Sequence, residues 1–344
     1  MTRITTLRAA SVGGLMMLGL LVAPFAAQSA PQVPAMVDPS KDLLAHEAGP
    51  ERGWFESIYF TSELEADGRN IGVLLHALTM PKVFGPIVIF SITDETNGLY
   101  RNHMARIPPD QFSWGATEFS ITTPGLEWTG DHEKMSVSFE VPWGAIDFVL
   151  ESRGPAMVYG GTGVFPLLGE TNFEFALPNM ATTGTLHVEG DELRVEGRSW
   201  LDRQWGTITP RPDLRWTWMN LIMPDGEVVA IWNALDEQAE ESWATVLRSD
   251  GSHEVVAVEP LAAGAEAYWT SEQTGQRYPT RWRVRIPALD ANLTVNVTGT
   301  PAQESFLPGG HMARLEATAA FSGTYRSQPV SGRNYVEMIG DWKP

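Results

Sequence analysis

The stretch Val195-Glu196-Gly197-Arg198-Ser199-Trp200-Leu201-Asp202-Arg203-Gln204-Trp205-Gly206 decides how this chain is read, together with Leu214-Arg215-Trp216-Thr217-Trp218-Met219-Asn220 just after it. Side chains alternate between the two faces of a β-strand. Carried through the first stretch, that period puts Trp200, Asp202 and Gln204 on one face and Leu201, Arg203 and Trp205 on the other. Asp202 then stands as a lone carboxylate beside an indole. Such a group is costly against apolar surface unless it is hydrogen-bonded, ion-paired or held protonated.

Outward from this stretch the same strand grammar recurs on both sides. Toward the N-terminus, residues 54–61 alternate with Trp54, Glu56, Ile58 and Phe60 on one face. They turn at Ala66-Asp67-Gly68-Arg69 and return over 70–79. Further strands are expected over 87–92, 119–122, 126–129, 135–142, 145–152 and 171–178, then a hairpin of 183–189 with 192–197 about Gly190-Asp191. Toward the C-terminus they are expected over 216–223, 228–235, 242–248, 254–258, 280–286, 293–298, 314–325 and 332–339. No helical period persists beyond about two turns. The chain therefore reads as all-β, with two sets of about eight strands forming barrels or strongly curved sheets in tandem. The expected domains are residues 51–190 and 191–344. The glycine-rich run Met157–Gly163 is a loop and not a phosphate cradle, because Val164-Phe165-Pro166 does not begin a helix.

The 344 residues suffice for two domains, and 13 tryptophans call for large aromatic surfaces. A formal charge of −18 argues against nucleic acid as a partner. Arg3 and Arg8, an apolar run over 12–22 and Ala27-Gln28-Ser29-Ala30 form a secretory signal over residues 1–30, cut near Ser29 or Ala30. The mature protein is expected to be exported, to the periplasm in a Gram-negative host, with a loose proline-rich lead-in over 31–50. The lack of cysteine excludes disulfides, thiolate metal sites and a cysteine nucleophile.

Four segments carry a family resemblance: Trp54-Phe55-Glu56-Ser57; Phe175-Ala176-Leu177-Pro178 with Thr183-Gly184-Thr185-Leu186; the Gly197 to Gly206 run; and Gly332-Arg333-Asn334-Tyr335-Val336-Glu337-Met338-Ile339-Gly340. On these the chain resembles the family of carotenoid 1,2-hydratases (hydroxyneurosporene synthases), AttH-like secreted hydrolases, kievitone hydratases and certain fungal Diels–Alderases. The resemblance implies two lipocalin-like (calycin-type) β-barrel domains side by side, with a pocket for an apolar ligand. It departs at Gln204, where many relatives carry Glu, and at Glu56, where Tyr, Asp or Asn is common.

The implied chemistry is addition of water to a double bond, or its removal. That needs a proton donor, an apolar site that stabilises a cation, and a delivered water. Asp202 is the candidate acid, with burial raising its pKa. Trp200, Trp218 and Tyr335 offer π faces, with Trp54 and Trp205 as further pocket aromatics; Glu337 or Glu56 would hold the water. The structural alternative pairs Asp202 with Arg203 or Arg215. The substrate is expected to be an isoprenoid, polyene or similar apolar molecule, collected through peripheral membrane contact, and no cofactor is expected. A pericyclase or isomerase sharing the pocket, or a non-catalytic carrier of an apolar ligand, are the competing readings.

Other schemes have less support. The seven histidines show no HxH, HxxxH or HExxH spacing, so no metal is expected. No G-x-S-x-G elbow occurs, and a Ser–His–Asp hydrolase could arise only from residues distant in sequence.

Overall fold

Antiparallel strands, joined mostly by short turns, build two sheets that follow one another along the chain. The structure is a computed structural model and describes residues 36–342; the expected signal segment lies outside the described residues. The first sheet has 13 strands, the first Trp54–Ala66 and the last Asp191–Thr207, which lie side by side at its centre. The second has 10 strands, from Arg215–Ile222 to Gln328–Ile339, again paired with each other. Both sheets curl around a core of their own. Phe60, Trp128, Phe148 and Leu201 lie in the first, and Met219, Trp282, Phe321 and Val336 in the second. The expected all-β architecture of two lipocalin-like sheets is the one observed.

Burial shows where the sheets meet. Strand Lys134–Val141 alternates strictly between exposed and buried residues, with one face in the core and the other in water. Strands Trp54–Ala66, Arg69–Met80 and Val228–Leu235 are buried on both faces over most of their length. Their second faces form a third cluster, including Tyr59, Leu74, Trp200, Trp218, Trp232 and Tyr335. The described residues 36–342 accordingly belong to one compact unit.

Several elements differ from expectation for local reasons. The stretch around Asp202 was expected to open the second β set. It is instead the strand Asp191–Thr207, bonded on one side to Trp54–Ala66 and on the other to Glu170–Val188. A two-residue turn with left-handed Glu189 (φ 52°) and Gly190 (φ 91°) folds it straight back onto its predecessor, so it stays in the first sheet. The chain changes sheets between Thr207 and Arg215, a segment holding Pro210 and Pro212. Strands expected over 171–178 and 183–189 are one long strand, irregular between Leu177 and Met180 where Pro178 interrupts the pairing. Strands Leu99–Arg106, Ala265–Thr270 and Glu304–Leu307 had no alternating pattern to announce them. The first two lie at sheet edges and the third is a short addition to His311–Tyr325.

Candidate functional site

A cleft of about 220 Å³ opens between the two sheets. Its polar lining comprises Ser57, Tyr59, His76 and Gln204 from the first sheet, Arg211 from the segment that joins the sheets, and Arg314 and Glu337 from the second. Leu78, Phe84, Ile208, Trp216 and Trp232 make most of the wall apolar.

Register explains why these first-sheet residues converge. The turn at Asp67 (φ 50°) and Gly68 (φ 75°) pairs Tyr59 with His76, and Ser57 lies two residues along on the same face. Across the other edge of the same strand, Ser57 pairs with Gln204 and Tyr59 with Asp202. The face expected for Trp200, Asp202 and Gln204 is therefore the one turned toward the second sheet. The face with Leu201, Arg203 and Trp205 fills the first core.

Asp202 is fully buried behind the cleft wall. The Tyr159 hydroxyl donates to its Oδ1 at 2.9 Å and Trp200 Nε1 donates to its Oδ2 at 2.9 Å. The Tyr59 hydroxyl adds a third hydrogen bond, and Trp218 Nε1 donates to Tyr159 at 3.0 Å. The ion pairs among the described residues do not include Asp202. Burial pushes its carboxyl up to about 7, against the pull of these donors. Tyr59 alone among these partners also lines the cleft, so it joins the buried acid to any bound ligand.

Other carboxylates share the environment. Glu174 receives Trp232 Nε1 at 3.1 Å, and burial followed by the charge of Asp202 pushes it well above the usual range. Glu337 receives Trp216 Nε1 at 2.7 Å and is raised by burial, with Arg314 opposing. His76 bonds Ser57 Oγ through Nε2 at 2.7 Å, and burial followed by Arg314 holds it down at about 3. Its Nδ1 lies 3.4 Å from Glu316 Oε1.

His76, Glu316 and Glu337 bring potential metal-ligand atoms within 4.8 Å of one another. Local histidine spacing could not reveal this, because the three come from three strands. Arg314 Nη1 stands 3.3 Å from His76 Nδ1 and 3.4 Å from Glu316 Oε1, so a guanidinium already supplies positive charge there. The donor set fits a protein ion pair better than a bound cation.

The remaining expected site residues divide between the two sides. Trp200 bonds Asp202 directly and Trp218 bonds its partner Tyr159, while Tyr335 sits elsewhere in the cluster between the sheets; none of the three lines the cleft. Trp54, Glu56 and Trp205 belong to the opposite face. Trp205 stacks on His46 at 4.4 Å and on Phe173 at 5.4 Å. Glu56 pairs with Arg203 at 3.3 Å and His46 at 3.2 Å, so it does not hold water beside Asp202. Arg203 is thus an ion-pair residue, but its partner is Glu56 and not Asp202. Arg215 lies 5.8 Å over the Trp342 ring.

Sequence reasoning missed Ser57, Tyr59, His76, Tyr159, Glu174, Trp232, Arg314 and Glu316. The readable hairpin at Asp67-Gly68 could have supplied Tyr59 and His76 through its register. The corresponding hairpin that aligns Glu316 with Glu337 turns at Arg326-Ser327, both left-handed and neither glycine, and gave no such signal.

Two lipocalin-like sheets thus enclose a largely apolar cleft, with a buried carboxyl hydrogen-bonded to uncharged partners behind a cleft-lining tyrosine. The chain belongs to the AttH-like family, whose sequence model matches residues 41–341. It is 26% identical over 225 residues to the dehydratase asqC of Emericella nidulans, covering 61% of this chain and 62% of that one. It is 23% identical over 216 residues to the kievitone hydratase of Fusarium solani subsp. phaseoli, covering 60% and 59%. The chain thus spans about three fifths of the length of the curated relatives it matches. The crystal structure of kievitone hydratase from Nectria haematococca shares the fold, with a TM-score of 0.76, 21% identity and coverage of 89% and 94%.

Proposed function

We propose that the protein is a hydro-lyase that adds water to, or removes it from, a double bond of an apolar small molecule held in the cleft between the sheets. The observation that carries this reading is Asp202, a fully buried carboxyl without a cationic partner whose pKa stands at about 7. An acid poised near neutral pH is what general acid catalysis requires. In the hydration direction Tyr59 gives its hydroxyl proton to the substrate carbon and takes the proton of Asp202. The faces of Trp216 and Trp232 stabilise the cation that forms, and a water held by the Glu337 carboxylate adds to it. That water gives its surplus proton to the same carboxylate, from which exchange with solvent restores the starting state. The names of the sequence relatives support a hydratase or dehydratase. The family resemblance favours an isoprenoid, polyene or similar substrate, and the N-terminal sequence supports export. No cofactor is needed for these steps.

Assay of the purified protein in ¹⁸O-labelled water, with acyclic carotenoids and with kievitone, tests the proposal. Label should enter the product, and Asp202→Asn should lower turnover by roughly 10²–10⁴-fold, the usual share of a general acid. Undiminished turnover in that variant would remove Asp202 from the reaction. An apolar compound that copurifies and is returned without label would instead establish a carrier.

A further inference from the structure

We propose that Ser57, His76 and Glu316 form a second reactive centre in the same cleft, a Ser–His–Glu triad that hydrolyses carboxylic esters bearing an apolar acyl chain. The residues lie on three strands, Trp54–Ala66, Arg69–Met80 and His311–Tyr325, so only the apposition of the two sheets assembles them. The hydroxyl of Ser57 stands 2.7 Å from His76 Nε2, and the other ring nitrogen stands 3.4 Å from Glu316 Oε1. Nucleophile, base and orienting carboxylate thus follow one another at hydrogen-bond distance, and Ser57 and His76 both line the cleft.

The tautomer is set by the carboxylate. With Nδ1–H directed to Glu316, Nε2 presents its lone pair to the Ser57 hydroxyl. The opposite tautomer would accept from Arg314 at 3.3 Å and turn Nε2–H toward Ser57. Burial raises the Glu316 carboxyl, and Arg314 Nη1, 3.4 Å from the same oxygen, opposes that rise; the ionised form offers only acceptors at Nδ1 and so opposes this tautomer.

The cleft also holds a donor without an assignment. Gln204 is the cross-strand partner of Ser57, lines the cleft, and has its Nε2 buried with no hydrogen-bond partner. A buried unsatisfied donor costs about 1–3 kcal/mol, so this amide is free to take up an acceptor oxygen, from water or from a ligand that displaces it. Directly opposite cross-strand residues hold their Cβ atoms about 4.5–5.5 Å apart, which brings the Gln204 amide within reach of a carbonyl oxygen attacked by Ser57.

The reaction balances with water as co-reactant. Ser57 Oγ bonds to the acyl carbon while its proton passes to His76 Nε2, and the oxygen that gains charge is met by Gln204. The ester C–O bond then breaks, and the leaving alkoxide takes the proton from His76. Water adds to the acyl carbon, giving a proton to His76. The bond to Ser57 breaks, its oxygen regains that proton, and the acid departs. Glu316 acts as a positioning residue, fixing the ring and offsetting part of the burial and Arg314 charge that disfavour the imidazolium in the empty cleft, so the imidazolium forms only in the passage to the tetrahedral species.

A fluorophosphonate probe with an alkyl chain tests this without reference to hydration. Incubated with the intact protein and followed by peptide mass spectrometry, it should leave its adduct on the peptide that contains Ser57. No adduct, or an adduct on another residue only, overturns the proposal. His76→Gln should slow labelling by roughly 100-fold, and equal labelling of a folded variant also overturns it. Glu316→Gln should lower kcat for p-nitrophenyl butyrate and leave KM unchanged, whereas a purely structural Glu316 would alter both or neither. Adduct mapping on the unaltered protein keeps the test decisive if a variant does not fold.

Discussion

Asp202 and Arg203 are neighbours in sequence with opposite fates, and each fate can be measured. The ordinary carboxyl value of Asp202, 3.8, applies to the unfolded chain, whereas the fold holds it at about 7. Between those values the native state keeps a proton that the unfolded state releases. The stability Asp202 contributes is therefore complete below 3.8 and is lost as pH rises through about 7. Asparagine retains one acceptor and one donor, as the protonated acid does, and cannot ionise. Thermal melts should then show Asp202→Asn gaining on the wild type between pH 4 and pH 8, while the wild-type hydration rate falls above about pH 7. Arg203 is fully buried and donates to the carbonyls of Asp42, Leu44, Ser57 and Gln204 as well as to Glu56. Arg203→Ala would deprive four carbonyls of this donor and leave Glu56 with His46 alone, with an expected loss of roughly 3–5 kcal/mol in urea unfolding.

At the level of elements, the central strands serve two cores at once. Trp54–Ala66 sends Ile58 and Phe60 into its own sheet and Ser57 and Tyr59 toward the other. Such strands must bend tightly, and Gly197 marks one place where they do: a Cβ there would stand 2.2 Å from the Glu63 carbonyl oxygen of the adjoining strand. Gly197→Ala should force those strands apart and lower stability by about 1–3 kcal/mol in chemical denaturation, in the range of overpacking. Most of this layer was legible. The alternation through Trp200 to Trp205 gave both faces correctly, and Asp67-Gly68 marked its turn. The long Glu170–Val188 strand was split by Pro178, and the edge strands escaped notice because a solvated, irregular edge needs no alternating pattern.

For the molecule as a whole, function rests on how closely the two sheets approach. Gly72, on Arg69–Met80, is where they touch: a Cβ there would lie 2.2 Å from Thr318 Cγ2 and 2.5 Å from the Tyr335 hydroxyl, both on the second sheet. Gly72→Val should separate the sheets, lowering the melting temperature and reducing hydration although residue 72 does not line the cleft. A variant with unchanged activity would show that the cleft does not depend on this contact. Tyr335, expected from sequence to face the ligand, is instead part of this seam.

The sequence by itself determined the strand period, the all-β class and the sidedness of the Asp202 strand, and left Asp202 open between an acid and an ion-pair residue. These follow from neighbours along the chain, whose alternation and turn chemistry are local. Only the tertiary structure decided that Tyr59 and Tyr159, and not an arginine, join the neighbouring Trp200 around Asp202, that Glu56 belongs to Arg203, and that Ser57, His76 and Glu316 meet. Those outcomes depend on strand order and on the packing of one sheet against another. A carboxylate's partner and pKa are fixed by what lies across a sheet interface, at separations of up to 240 residues, as between His76 and Glu316, and no local pattern encodes that distance.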